Sequence, residues 1–408
     1  MSIENRTVAR LRLREEPAGS YELDMTSAGT SFTSFVDVPF ISGSLQVSPM
    51  VKMLPTDHVQ QFIDGYSEEI PGPKSWKLSF KMHLAPTGVA ANASTTSVES
   101  VLATLQKICM GGISLSAGTD MASGVSTAGC TVTTGHGSRV PVGTAVGIGV
   151  QTTPQSFEVA EVKSQSTDAI TWKRVTATTP VTGAVYRSST IYLKEDPDTS
   201  MQFALDFVET DERLILMGGQ GSFTVEIGNG ELPTATFSIE GTDWLQYAGS
   251  AISVATFTNL APVAVYGSEF QVCAVGSTSR GVLPISALAI NPNLAYENVP
   301  YPGRQNVYRK RRVRSAPSVS GSFTVPYEAA TWLTARANKS DHAIFAQIGS
   351  AAGNAMLISV PTIQILDVQP VEVGKLSYQQ VSWKARHDAE IGGGATEITR
   401  SALRFHYV

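Results

Sequence analysis

The stretch from Gly43 to Met82 returns without a gap as the stretch from Ser286 to Val325, displaced by 243 residues. At the front, Ser44-Leu45-Gln46-Val47-Ser48-Pro49 aligns with Ala287-Leu288-Ala289-Ile290-Asn291-Pro292. At the back, Ser79-Phe80-Lys81-Met82 aligns with Ser322-Phe323-Thr324-Val325. Only five positions in forty are identical, so the letters decide little. The order of elements decides more. Each copy is an alternating strand, a Pro- and Gly-punctuated excursion and a returning strand, and each leads into a short amphipathic helix and further strands. A chain built this way is expected to contain two related β units.

Composition fits an all-β protein with polar, uncharged surfaces: charged residues make up 16% of the 408 positions. The length allows two or three domains with sizeable cores. A net charge of -5 provides no global footprint for nucleic acid. Cys109, Cys130 and Cys273 are odd in number and far apart, which excludes a disulfide framework and a CxxC metal knuckle. Met1 to Leu13 has no apolar core of a signal peptide, and no run approaches about 18 apolar residues, so neither secretion by a signal peptide nor membrane spanning is expected.

Along the chain, Thr7 to Arg14 alternates as a half-buried strand, with Ala9, Leu11 and Leu13 inward and Arg10, Arg12 and Arg14 on the other face. Phe32 to Phe40, Gly43 to Met50 and Ser75 to Leu84 are further strands. Between the last two runs the first excursion, Val51 to Pro73, where Pro55, Gly65, Pro71 and Pro73 argue against a central strand while Phe62, Ile63, Tyr66 and Ile70 argue against an idle loop. Thr96-Ser97-Val98-Glu99 has capping-box spacing, the helix after it puts Val98, Val101, Leu102, Leu105, Ile108 and Cys109 on one face, and Gly111-Gly112 stops it.

From Ile113 to Leu193 five short strands, Ala145–Val150, Phe157–Val162, Ile170–Arg174, Ala184–Tyr186 and Ile191–Leu193, read as a small barrel inserted as a surface decoration. Met201 to Glu209 and Gly221 to Glu240 complete the first unit. The second starts near Thr256, has its helix at Tyr327 to Asn338 after Pro326, and closes with strands Met356–Val371, Lys375–Arg386 and Glu397–Tyr407. The expected domains are therefore 1–112 and 199–255 for the first unit, 113–198 for the insert and 256–408 for the second unit.

Chemistry is sparse. The six histidines show no HExxH or HxH spacing, and there is no GxSxG elbow, P-loop or strand-to-helix GxGxxG. Gly218-Gly219-Gln220-Gly221 and Gly228-Asn229-Gly230 read as hairpin turns. Asp206, Glu209, Asp211 and Glu212 read as an acidic turn rather than a catalytic pair. No enzyme, metal or cofactor is expected. The outstanding charge feature is Arg304 followed by Arg309, Lys310, Arg311, Arg312 and Arg314, six of thirty basic residues in eleven positions. On a strand these alternate between two faces, unlike a patch that tracks phosphates. The 243-residue displacement sets Arg311 and Arg312 opposite Glu68 and Glu69, with Asp64 nearby, so the two arms are acid and base counterparts suited to an inter-subunit contact. Phe62, Tyr66 and Tyr308 are the apolar candidates for the same contact.

Two β units, each with a long arm before a sheet-packing helix, and a small inserted β domain resemble the tail tube proteins of long-tailed bacteriophages, in the variety with a duplicated tube domain. Leu13-Arg14-Glu15-Glu16-Pro17-Ala18-Gly19, and Gly219-Gln220-Gly221-Ser222 through Pro233 to Phe237 and Ser238, also look like that family. The resemblance implies two tandem tail-tube-like β-sandwich or barrel units, each with one packing helix, and a structural role in stacked rings around a DNA channel. It implies a homotrimer ring with pseudo-sixfold symmetry, assembled in the host cytoplasm into the virion tail. The implied partners are other copies, the tape measure, terminator and distal tail proteins, and genomic DNA passing through the lumen unbound. Two alternatives stand beside it: a baseplate or distal tail ring of the same fold, and a carbohydrate-binding adhesin with Trp172 and Tyr186 as sugar platforms.

Overall fold

A computed structural model describes residues 8–16, 35–54, 70–85, 100–116, 119–149, 157–176, 179–180, 184–186, 188–195, 197, 199–207, 212–248, 262–265, 270–277, 283–297, 313–327, 331–351, 354–373, 375–389 and 396–408. Strands dominate these residues, as an all-β class requires. The first half contains β1 (Val8–Glu16), β2 (Val36–Asp37), β3 (Gln46–Leu54), β4 (Ile70–His83), α1 (Val101–Met110) and β5 (Gly111–Leu115). A small barrel follows, made of β6 (Thr119–Ser126), β7 (Gly129–Val132), β8 (Ala145–Gly149), β9 (Phe157–Gln165), β10 (Ala169–Trp172) and β11 (Ala184–Tyr186). Then come β12 (Ser189–Leu193), β13 (Ser200–Phe207), β14 (Glu212–Gly228), β15 (Thr234–Gly241) and β16 (Asp243–Ala248). The second half has β17 (Phe270–Ala274), β18 (Ala287–Asn291), β19 (Tyr296–Glu297), β20 (Val313–Arg314), β21 (Ser320–Pro326) and α2 (Thr331–Ala337). It ends with β22 (Asp341–Ala351), β23 (Asn354–Val373), β24 (Leu376–Ala385), α3 (Glu397–Arg400) and β25 (Arg404–Tyr407).

Six pairings recur in the two halves. β1·β13, β13·β14, β14·β16, β14·β15, β15·β4 and β4·β3 correspond in order to β17·β22, β22·β23, β23·β25, β23·β24, β24·β21 and β21·β18. The registers agree as well. Gln46 lies opposite Ser79 and Ala289 opposite Ser322, both members displaced by the 243 residues read from the sequence. Phe80 faces Phe237 and Phe323 faces Val381, so the displacement has fallen to 144 beyond the helix, where only the first half carries the barrel and its stem.

Long strands connect layers. The first part of β14 lies between β13 and β16, and its last part between β15 and β18. The bend falls at Gly218, with φ 66, beside a register shift on β13. A Cβ on Gly221 would stand 2.2 Å from the Ser238 carbonyl oxygen. Gly218 to Gly221 is thus a bend inside one strand, where the sequence reading expected a hairpin turn. Asn229-Gly230 does form the turn before β15. Across the layers Phe203 packs edge-on against Trp76 and Phe80, with centroids 6.1 and 6.0 Å apart, and Phe223 meets Phe405 of the other half at 5.6 Å.

Several local expectations are corrected. Ser100 caps α1, accepting the Ala103 N–H at 3.1 Å; Thr96 to Glu99 lie outside the described residues. Gly111, with φ 93, ends the helix as expected. Pro326 ends β21 instead of opening α2, and Glu397 to Arg400 is a helical turn rather than strand. Of Phe32 to Phe40 only Val36 and Asp37 are strand among the described residues. Pro71 and Pro73 are part of β4 because its outer end, before Trp76, has β3 alone as a neighbour among the described residues, and the ladder with β3 is interrupted there by a register shift between Val51 and Met53. The face of β1 carrying arginines is covered: Arg12 is buried, and Arg10 bonds Asp37 at 2.5 Å.

Candidate functional site

The two halves are joined edge to edge. Val225, Glu226, Ile227 and Gly228 of β14 face Ile290, Ala289, Leu288 and Ala287 of β18. This junction buries its inward side chains, with Val225, Ile227, Leu288 and Ile290 at most 1% exposed. It is pinned beside α1, whose last carbonyls lack helical partners. The Tyr296 hydroxyl donates to Cys109 O at 2.7 Å and Arg314 Nη1 to Met110 O at 3.0 Å, placing a cation at the negative end of the helix. A second seam pairs β12 with β25.

Each strand of the junction has a counterpart with a free side. β3 pairs only with β4, and the last part of β23 only with β24, among the described residues. Antiparallel alternation decides which groups these sides present. Leu84 N–H bonds Pro233 O, so even-numbered β4 residues address β15, odd ones address β3, and Val47 and Pro49 turn their backbone outward. Tyr327 N–H bonds Ser377 O and Ala385 N–H bonds Val319 O, so Gln380 and Tyr378 address β23, and Val368, Pro370 and Glu372 turn outward. Met50, Val51 and Met53 on β3 are 39%, 37% and 48% exposed, and Leu366 on β23 is 51% exposed. Such a row of open backbone groups and apolar side chains is a template for another chain.

Of the residues expected at an inter-subunit contact, only Arg314 is among those described, and it caps α1 of its own chain. Phe62, Asp64, Tyr66, Glu68, Glu69, Tyr308, Arg309, Lys310, Arg311 and Arg312 lie outside the described residues. No local signal in the sequence marks the free edges of β3 and β23, because an edge is defined by which strands do not pair. The acidic turn is structural at Asp206, whose carboxylate accepts from Arg12 Nη2 at 2.8 Å and Arg213 Nε at 2.5 Å.

The barrel is fastened more firmly than a decoration would be. Stem strands β5 and β12, placed with the insert by a boundary at residue 113, pair with each other and, through β12, with β25. Against β22 and β23 the barrel packs Ala145 and Val159 on Phe345 and Leu357. Beneath this contact Glu161 and Lys173 of the barrel meet Asp388 and Arg404 of the second half, all four buried. Lys173 Nζ lies 3.1 Å from Glu161 and bonds Asp388, while Arg404 bonds Glu161 and reaches Asp388 at 2.9 Å. Burial alone would raise the Glu161 carboxyl, but Lys173 and Arg404 outweigh it and hold it at about 2. Burial pushes neighbouring His406 down to about 3.

No protein-family model matches the chain, and no curated protein matches it. Trp172 is 3% exposed in the barrel core and Tyr186 is half-buried against the body, so neither is an open platform for a sugar. Among the described residues no group of His, Cys, Asp or Glu is arranged to hold a metal, and no helix is long and apolar enough to cross a membrane. The three cysteines are buried, and burial pushes the Cys109 thiol up to about 12 and the Cys130 thiol to about 11.

Proposed function

We propose that this chain is a structural virion protein that assembles with copies of itself into rings, which stack as the hollow tail tube of a long-tailed bacteriophage. The observation that carries the reading is the junction β14·β18: one half of the chain docks on the other by strand pairing, and the counterparts of both strands have a free side among the described residues. A heterologous contact of this kind generates a ring when its rotation closes. Two repeats per chain would give three chains the pseudo-sixfold ring that the family resemblance implies. In this reading the basic and acidic arms link neighbouring subunits, and DNA passes a lumen that does not hold it. Negative-stain microscopy of the purified protein tests the reading. Hollow rings or tubes are expected; a monodisperse monomer at all concentrations and salt conditions overturns it.

A further inference from the structure

The chain contains a worked example of its own subunit contact. We infer that β3 of one copy pairs antiparallel with the last part of β23 of the next copy, in the register that β18 adopts on β14. Carrying the correspondence across, Ile290 opposite Val225 becomes Val47 opposite Pro370, and Leu288 opposite Ile227 becomes Leu45 opposite Glu372. The same ladder puts Pro49 opposite Val368. The inference rests on the ring-forming reading and adds to it the partner strands and their register.

Three features of the two edges support it. First, burial differs at equivalent places: Leu288 and Ile290 are 1% exposed within the chain, whereas Leu45 and Val47 are half-buried. The same holds across the ladder, where Val225 is 0% exposed and its counterpart Pro370 is exposed. Second, the prolines fit. Pro49 and Pro370 cannot donate, but in this register each faces a valine whose outward N–H can bond the proline carbonyl, and the two prolines never meet. Pro292, the counterpart of Pro49, occupies the matching place on β18 after Asn291. A proline on each edge weakens casual pairing with other strands. Third, Met53 stands where Tyr296 stands in the second half, yet it is 48% exposed against 8% for Tyr296. A neighbouring copy would cover it as α1 and its surroundings cover Tyr296.

Cysteine pairing reads the register directly. Ser48 and Gln369 would face each other as a non-hydrogen-bonded pair, with Cα atoms about 4.5 Å apart, inside the range a disulfide spans. Both are exposed, and the native cysteines are buried. The double variant Ser48→Cys/Gln369→Cys is expected to give covalent multimers on mild oxidation of the assembled protein. Ser48→Cys/Val371→Cys, slipped by two residues, is the control and is expected to stay largely uncrosslinked. Rings in the microscope with no crosslink in the first variant, or with equal yields in both, overturn the register while the ring reading stands. Absence of both rings and crosslinks from folded variants overturns both.

Discussion

Glu161, Lys173, Asp388 and Arg404 are four buried charges that sum to zero, and the balance is what makes their burial tolerable. Lys173→Met leaves two carboxylates against one guanidinium. Removing one partner of a buried pair typically costs about 3–5 kcal/mol, so urea unfolding should show a loss of that order. Lys173→Met/Asp388→Asn restores the balance around Arg404 and Glu161, and should lose less than the two single variants together. A single variant as stable as the parent would mean that water reaches the cluster. The same site sets a pH dependence. His406, ordinarily near 6.5, titrates near 3 when folded, and Glu161, ordinarily near 4.5, near 2. Both groups therefore bind fewer protons folded than unfolded, so stability present near neutral pH is lost as pH falls. The His406 contribution is lost between about 6.5 and 3 and the Glu161 contribution between about 4.5 and 2, each group acting with a limiting slope of about 1.4 kcal/mol per pH unit. Melting temperatures of His406→Gln should decline less steeply between pH 6.5 and 4.5 than those of the parent.

At the scale of elements, the stem strands β5 and β12 pair within the body's sheet, whereas the barrel closes on itself. Ser116 and Ser188 stand side by side, with Ser116 N–H bonding Ser188 O at 3.0 Å. A short Gly/Ser joint between them can replace residues 117–187. From the buried cluster that deletion removes one charge of each sign, Lys173 and Glu161, and leaves the Arg404–Asp388 pair intact. It is expected to fold cooperatively with a lowered melting temperature, because Phe345 and Leu357 lose their cover. Deleting Ile113 to Leu193 instead takes β12 from β25 and should not yield a cooperative transition in circular dichroism. If both deletions melt alike, the stem is not part of the body's sheet.

For the whole molecule, the proposed conduit requires that a chain of net charge -5 does not hold the DNA that passes it. Lys and Arg contacts to phosphate are strongly attractive and fall steeply with salt. Assembled protein is therefore expected to show no duplex binding at physiological salt by fluorescence anisotropy. Micromolar binding that weakens with salt would mark the basic arm as a nucleic-acid site and count against the conduit.

Period-two alternation and turn chemistry are local, so strands, the Asn229-Gly230 hairpin and the helix stop at Gly111 were legible in the residues themselves. So was the 243-residue displacement, because duplicated strands keep their order and their inward positions even when identity is nearly gone. Boundaries moved where local signals competed: Thr96 and Ser100 are both fair caps, and Pro326 suits a strand end as well as a helix start. The contacts on which the proposed assembly rests were not legible. Strand pairing is set by packing between segments far apart in the chain, so nothing in Gln46–Leu54 or Val368–Val373 announces that each has a free side among the described residues. Lys173 with Asp388, 215 residues apart, and Arg404 with Glu161, 243 apart, meet only because the barrel seats on the second half. Sequence by itself determined the repeat and the class of fold; the tertiary structure decided which edges were used inside the chain and which were left unpaired among the described residues, because an edge exists only once every other strand has found its neighbour.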